Sequence, residues 1–390
     1  MVAGLVLVAA AAAGWGQGAP TASAQRQAAL ALEQQNKNPE AEAAWRAYSK
    51  AHPTNPEPYA HLGLLEARQE HYTEAVAMYR RALLINPNVP GLRLNLGLAL
   101  FKGGKPKEAI AEFNTLLRTA PPDSPEAQRL RILIGMAYYG LAEYAEAVPS
   151  LKDAAARDKQ NLSLRLALAH SCLWSKQYGC VMDTYREILT LNAESAEADM
   201  LAGEALDEMR DSTGALAQFR AAEKANPKEP YVHFAVAYLL MTQKLYSDAI
   251  PEFKADLEND PSHTPARVYL GDCYVHLEDN EHAQPELERA LKDDPSIALG
   301  HLDLGIVYAA QGRNEEALAQ YREAIRLNPS DSDPHWRLSR LYQAMGEPEK
   351  ARTEAALVSR MKKQSYQSLT DQVSGAGKAQ QHPADLPGPQ

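Results

Sequence analysis

Three cysteines are the most reactive side chains in this chain of 390 residues. Cys172 and Cys180 lie on either side of a predicted turn between two helices. A bond between them would stabilise the fold by about 2.6 kcal/mol on the loop-entropy estimate. Since we expect Cys172 to be buried and Cys180 to be exposed, the sequence leaves their pairing open. Cys273 is expected to be a buried thiol.

Histidines are the next residues that could do chemistry, as metal ligands. His276 and His282 are six residues apart across a predicted turn, and we do not expect a metal site there. Three others occupy one equivalent position of the repeat described below, and we interpret them as packing or surface residues: His233, His301 and His335.

Carboxylates form one concentrated stripe at spacings of three and four residues. It consists of Glu204, Asp207, Glu208 and Asp211. Such a helical stripe could hold Ca²⁺, but calcium prefers loops that also supply carbonyl oxygens. We therefore predict no metal ion and no cofactor for this chain.

Sequence motifs of catalysis are absent from the chain. It contains no nucleophile elbow, glycine-rich phosphate loop, HExxH or CxxC motif, so we predict that it is not an enzyme. The net charge is −10, from 40 basic and 50 acidic residues, with no basic stripe that would neutralise phosphates. We therefore do not expect it to bind nucleic acid.

The element that positions all these residues is a repeat of 34 residues. Proline recurs at Pro53, Pro87, Pro121, Pro227, Pro261, Pro295 and Pro329. Alanine and other small residues recur with the same 34-residue period. Within each unit, apolar residues recur at spacings of three and four residues, which predicts two helices per unit. Counted from these positions, ten units begin near Ala22, Pro56, Pro90, Gln128, Leu162, Ala196, Pro230, Thr264, Ala298 and Ser332.

Three positions of the unit predict its internal packing. The eighth residue is always small, and the twentieth is alanine in every unit except the fifth, which has Val181. These two positions are expected to be the contact points between the two helices. The twenty-fourth residue is usually aromatic, for example Trp45, Tyr79 and Phe253, and we expect its ring to fill the space between one hairpin and the next.

This pattern closely resembles the tetratricopeptide repeat family over residues 22–363. The resemblance implies an all-α fold, a right-handed α-solenoid superhelix of helix-turn-helix hairpins. The fourth position departs from the family, because it is never tryptophan here. The period also slips by four residues at 124–127, where Ser124 and Pro125 read as a helix N-cap and first position. We therefore predict a first helix in the fourth unit that is one turn longer.

The resemblance also implies which residues face a partner, because first helices line the concave face of the family. An apolar zone comprises Leu94, Leu98, Phe101, Ile132, Met136, Tyr139, Leu166, His170, Leu173 and Trp174. An acidic zone comprises Glu204, Asp207 and Glu208, and an aromatic zone comprises Tyr231, Phe234, Tyr238 and Met241, followed by Val268 and Val275. This groove suits an amphipathic helix or extended peptide with a basic centre.

Several alternatives to an open groove remain at this stage. The superhelix could close on itself or hold its own tail. The chain could instead self-assemble through its C-terminal end, or act as the regulatory subunit of a separate enzyme. By analogy with bacterial relatives, we expect a scaffold role in envelope assembly or secretion.

The ends of the chain are expected to differ from the array at 25–366. Residues 1–24 are predicted to be a signal peptide cleaved after Ala24, although no Lys or Arg precedes Arg26. We therefore expect a periplasmic or secreted protein without a stable transmembrane anchor. Residues 367–390 are rich in glycine and proline near the end and are expected to be disordered.

Overall fold

The computed structural model describes residues 21–191 and 194–376, with α20 side chains up to residue 367 and that of Thr370. Regular structure in these residues is entirely helical. The chain divides into two compact units at Leu191 and Asn192. Among the described helices, none is long and apolar enough to cross a membrane.

The described residues of the first unit, 21–191, form ten helices. They are α1 (Ala22–Gln34), α2 (Asn38–Ala51), α3 (Glu57–Arg68), α4 (Tyr72–Ile85), α5 (Leu92–Lys102), α6 (Pro106–Leu117), α7 (Pro125–Gly140), α8 (Tyr144–Arg157), α9 (Leu162–Trp174) and α10 (Tyr178–Leu191).

In the second unit, residues 194–376 also form ten helices. They are α11 (Ala196–Glu208), α12 (Ser212–Ala225), α13 (Val232–Thr242), α14 (Tyr246–Asn259), α15 (Thr264–His276), α16 (Asn280–Asp293), α17 (Ala298–Ala310), α18 (Asn314–Leu327), α19 (Asp333–Ala344) and α20 (Pro348–Ala376).

Within each unit, every helix packs against the helices before and after it, and several first helices also contact the first helix of the next hairpin. This is the predicted solenoid of helical hairpins. The predicted longer helix is confirmed, because α7 has 16 residues whereas the other first helices have 11 to 13. Ser124 caps it, with its Oγ accepting a hydrogen bond from the Ala127 N–H at 3.1 Å.

The hairpins close where the small residue at position eight meets the residue at position twenty-four of the same unit. A Cβ atom built on Gly97 would lie 2.4 Å from the Phe113 ring, and one on Gly203 equally close to Phe219. The expectation that these rings mainly separate successive hairpins was therefore incomplete. They lie inside their own hairpin, because glycine leaves room for the face of the ring.

The same rings also reach the next hairpin, as predicted. Trp45 stacks on His61 of the following unit with ring centroids 4.4 Å apart, and Phe253 lies 6.1 Å from Tyr269. The alanines at position twenty are buried, so they contribute to the core.

The turns within the hairpins share one backbone conformation. In each, one residue adopts a left-handed φ between 55° and 77°. These residues are Asn36, Glu70, Gly104, Ala142, Lys176, Arg210, Lys244, Glu278, Gly312 and Gly346. They are 34 residues apart except between Gly104 and Ala142, where the four extra residues of α7 intervene.

The C-terminal boundary differs from the predicted one. Helix α20 runs from Pro348 to Ala376, so residues 367–376 are helical rather than disordered. The stretch before Gly375 contains no glycine or proline, and extending an existing helix costs little when no breaker is present. The predicted signal peptide and tail otherwise fall mostly on residues 1–20 and 377–390, which lie outside the described residues.

Candidate partner-binding surfaces

The first-unit surface is the predicted apolar zone on α5, α7 and α9. Trp174 is its most exposed member, with 64% of its surface accessible. Leu173 is 7% exposed and belongs to the core, which corrects its predicted place on this surface. The others are half-buried, and Leu94, Leu98 and Phe101 also pack against the core. The zone is therefore an apolar floor with one protruding indole.

Tyr144 extends this surface and was not predicted. Its ring stacks against that of Trp174 at 6.2 Å and lies 5.9 Å from that of Tyr139. Tyr246 stacks in the same way on His276, at 4.4 Å. Both tyrosines are the first residue of a second helix. The recurrence of tyrosine at that position, including Tyr72, was the sequence signal that could have found them.

The acidic zone lies on α11 in the second unit. Glu204 and Glu208 are exposed and Asp207 is half-exposed. Although Glu204 is exposed, protein atoms around its carboxyl displace water and raise its pKa. Asp211 is not a member of this stripe, because α11 ends at Glu208 and Asp211 caps α12 by accepting a hydrogen bond from the Gly214 N–H at 2.9 Å.

The second-unit aromatic surface comprises Tyr231, Phe234, Tyr238 and Met241 on and before α13, with Tyr269 and His263. The Tyr238 ring lies 5.5 Å from Tyr269, and Phe234 lies 4.8 Å from His263. Tyr231 and Tyr238 are 61% and 37% exposed, respectively, whereas Phe234 and Met241 are half-buried. Val268 is 2% exposed and belongs to the core, which corrects its predicted place on this surface, and Val275 is half-buried.

Tyr231 is held in a strained backbone conformation. Its φ is 63°, in the left-handed region that costs a residue with a side chain about 1–2 kcal/mol. The equivalent residue of the third repeat is Gly91, with a φ of 73°. A cleft of about 270 Å³ opens beside the Tyr231 ring, lined in part by His263 and Asp256. Strained residues of this kind concentrate at functional sites.

Comparison with protein-family models shows to which family the chain with these surfaces belongs. Two family models described as tetratricopeptide repeat match it, one at residues 66–132 and 308–373, the other at 26–92, 200–264 and 270–332. The chain belongs to the tetratricopeptide repeat family. The family is one of protein–protein interaction modules, and its members bind protein or peptide partners. No curated protein matches the chain.

Solved structures of other tetratricopeptide repeat proteins resemble parts of the chain. A protein from Parabacteroides merdae ATCC 43184 is 17% identical, with 60% of this chain and 92% of that one covered and a TM-score of 0.46. YrrB, described as having an unusual peptide-binding site, is 20% identical over 45% and 91%, with a TM-score of 0.40. MamA from Desulfovibrio magneticus RS-1 is 18% identical over 43% and 96%, with a TM-score of 0.41. These similarities carry no functional inference.

In seven of the ten units, position four of the tetratricopeptide repeat carries an arginine or histidine that bonds across its own hairpin. Nδ1 of His233 lies 2.8 Å from Glu252, that of His301 lies 2.6 Å from Gln320, and that of His335 lies 2.6 Å from Glu354. These contacts support the structural interpretation of the three histidines.

One histidine of this set also belongs to a group that could offer metal ligands. Donor atoms of Glu223, His233 and Glu252 lie within 4.8 Å of one another. Arg220 already forms ion pairs with both carboxylates. A metal ion would have to displace that guanidinium, so we interpret the group as an ion-pair network.

The cysteines of this tetratricopeptide repeat chain occupy two environments. Cys172 and Cys180 form a disulfide across the turn between α9 and α10, with Cα atoms 5.8 Å apart. Cys273 is fully buried, and burial raises the pKa of its thiol to about 12. Cys273 is therefore the buried thiol that the sequence predicts, and its raised pKa keeps it in the unreactive protonated form.

Sequence reasoning missed a second cleft, which lies among α15, α17 and α19. Its walls include two buried carboxylates, Asp272 and Asp303. An aspartate in the middle of an otherwise apolar helix, in LGHLDLGIVYAA, was the signal that could have found Asp303.

Proposed function

We propose that this chain is a non-catalytic scaffold that binds segments of partner proteins on the first helices of its repeats. The observation that carries the proposal is the pair of protruding rings, Trp174 and Tyr231, each set beside half-buried apolar side chains. Neither ring is needed to close a hairpin. Exposed rings over an apolar floor are typical of binding hot spots, which favour tryptophan and tyrosine.

The charge beside the aromatic surface favours a basic segment in the partner. Glu204, Asp207 and Glu208 lie on α11, in the same unit as that surface. Carboxylates at the rim of an interface select partners with lysine or arginine and speed their association. We therefore propose an extended or helical peptide that combines apolar anchors with basic residues.

The test removes one protruding ring from each unit. Partners captured from a cell-envelope fraction would be purified, and their affinity measured by calorimetry for the wild type, Trp174→Ala and Tyr231→Ala. We expect each variant to lose about 2 kcal/mol of binding free energy if its ring is an anchor. Tyr231→Ala leaves the backbone cost at that position unchanged, because alanine also carries a Cβ.

A matched control is Leu84→Ala on α4, where a 76% exposed leucine lies on a second helix. We expect it to bind like the wild type. Unchanged affinity in both ring variants, or equal loss in the Leu84 variant, would contradict the proposal.

We further propose that the protein is exported to the periplasm or the medium, with a role in envelope assembly or secretion. The disulfide between Cys172 and Cys180 supports this, since such bonds persist in oxidising compartments. Mass spectrometry of the mature protein would test it. An N-terminus at Gln25 is expected, and an intact Met1 in the cytosolic fraction would contradict it.

Self-assembly is the second candidate, and one observation favours it. Trp336 on α19 is 40% exposed and Tyr366 on α20 is 75% exposed, so the last hairpin presents apolar rings to solvent. Terminal repeats without a polar outer face tend to associate.

A further inference from the structure

The cleft among α15, α17 and α19 has a volume of about 580 Å³ and two kinds of wall. One wall is apolar and consists of Val275, Leu299, Leu302, Ile306 and Ala310. The other is charged or polar and consists of Asp272, His276, Glu278, Asn280, Asp303, Asp333 and Arg337. A long side chain with an apolar stem and a charged end would find a complement for both parts.

Asp303 is the unusual group in this cleft. It is 2% exposed, and within the described parts of the chain its Oδ2 has no hydrogen-bond partner. A buried acceptor left in that state destabilises the fold, and more so when it is charged. Such a carboxyl at the wall of an open cleft is ready to accept hydrogen bonds from a ligand.

Two basic side chains line the cleft, but neither forms a hydrogen bond with Oδ2 of Asp303, and Nε of Arg337 also has no hydrogen-bond partner among the described residues. Nε of Arg337 lies 3.7 Å from Oδ2 of Asp333, and its guanidinium carbon lies 5.0 Å from the centre of the Trp336 ring. Nδ1 of His276 lies 3.1 Å from Oδ1 of Asp272. Four carboxylates therefore face one guanidinium and one imidazole, so the cleft has an excess of negative charge.

The protonation of Asp303 depends first on its burial and then on the charges around it. Burial raises its pKa well above the usual range for aspartate, and the charge of Asp272 raises it further, while Arg337 lowers it. Burial also raises the pKa of Asp272, and His276 opposes that rise. The other titratable groups that line the cleft or interact with Asp303 are Cys273, Glu278, Tyr321 and Asp333.

We propose that this cleft binds a basic side chain, arginine in particular, of a peptide partner. The guanidinium would bond to the free oxygen of Asp303 and face Asp272, and its alkyl stem would lie on Val275, Leu299 and Ile306. Arginine suits the site better than lysine, because its planar group carries five donors and is more weakly hydrated. The inference rests on the proposed peptide-binding function and names a side chain that the partner carries.

The test uses a matched pair of small probes, so it does not need the partner. N-acetyl-arginine methylamide and N-acetyl-citrulline methylamide have nearly the same shape and differ in charge. Each would be titrated into the full chain carrying ¹³C-labelled isoleucine methyl groups. We expect the arginine probe to shift the Ile306 signal and the citrulline probe to leave it in place.

Two variants with the same change in charge separate the site from general electrostatics. Asp303→Asn should weaken the arginine probe at least about tenfold, since it removes the ionic partner. Glu281→Gln changes an exposed acid on α16, outside the cleft, and should not affect binding. Asp272→Asn serves as a second cleft variant. The methyl spectrum of each variant also shows whether that variant is folded.

The pH dependence gives an independent readout, because arginine keeps its charge throughout. A bound cation lowers the raised pKa of Asp303, so binding releases a proton. Affinity for the arginine probe should therefore increase as the pH rises through the range in which Asp303 and Asp272 lose their protons, and the increase should be smaller in Asp303→Asn.

Three results would overturn the proposal. The first is equal binding of the arginine and citrulline probes, and the second is wild-type affinity for the arginine probe in both Asp303→Asn and Asp272→Asn. The third is tighter binding of free L-arginine than of the capped probe, which would indicate that the ligand is a free metabolite. Each of these leaves the ring variants Trp174→Ala and Tyr231→Ala as a separate test of partner binding.

Discussion

At the scale of single residues, the hairpin turns show that the fold tolerates residues whose side chains disfavour the backbone conformation they adopt. Every turn needs a left-handed residue, yet only three of the ten are glycine and one is asparagine. The other six carry side chains that this conformation disfavours by about 1–2 kcal/mol. Packing of the two helices on either side of each turn outweighs that cost.

This predicts a stabilising substitution at the fourth turn. Ala142 has a φ of 56°, so Ala142→Gly should raise the free energy of unfolding by about 1 kcal/mol, net of the greater freedom of glycine in the unfolded chain. Urea denaturation followed by circular dichroism would measure it. The reverse change, Gly312→Ala at a φ of 75°, should lower the free energy of unfolding. If Ala142→Gly were no more stable than the wild type, the prediction would be wrong.

At the scale of the helix pair, the meeting of position eight with position twenty-four sets how closely two helices approach. Glycine at the first position lets a ring or a leucine lie against the backbone of the opposite helix. Protein interiors are packed so tightly that one added methyl group is felt.

Gly203→Ala should therefore destabilise the protein by about 1–3 kcal/mol, because its new methyl group would meet the Phe219 ring. Thermal unfolding would show this as a lower midpoint. Gly140→Ala is the matched control: it also lies in a first helix, but nothing comes within 4 Å of its Cβ position. Equal effects of the two substitutions would show that helix propensity, and not contact with the ring, decides the outcome.

Residue spacing predicted the helix pairs, the order of the repeats and the Ser124 cap, because these depend on neighbours along the chain. It did not predict that Leu173 and Val268 are buried, or that Tyr144 stacks on Trp174. Those outcomes depend on how one hairpin is rotated against the next, which small differences in side-chain size decide. Asp303 was missed for a related reason, since one polar residue in an apolar helix leaves the period unchanged.

At the scale of the whole molecule, stability and binding are both distributed along the chain. Within each unit, each hairpin contacts its neighbours, so the unit is held by a series of similar interfaces and not by one central core. In the second unit, the acidic zone, the aromatic surface and the cleft lie on successive first helices. A partner bound there would gain affinity from several modest contacts along one segment.

The oligomeric state in solution tests whether the last hairpin associates with a second copy of the chain. If the protein is a scaffold for other partners, light scattering should give a mass of 42.8 kDa at all concentrations, less any cleaved leader. A mass that doubles with concentration, and returns to that of one chain in Tyr366→Ser, would instead support self-assembly through α20.

The four extra residues between the third and fourth repeats indicate where the chain accepts additional length. Gly97 and Phe113, like Gly135 and Leu151, are sixteen residues apart, so the extra turn of α7 left the contact inside each hairpin unchanged. The stretch from Pro121 to Ser124 is therefore a natural place to insert an affinity tag or a fluorescent label. The same insertion between Lys176 and Tyr178 would separate two helices that the turn and the disulfide hold together.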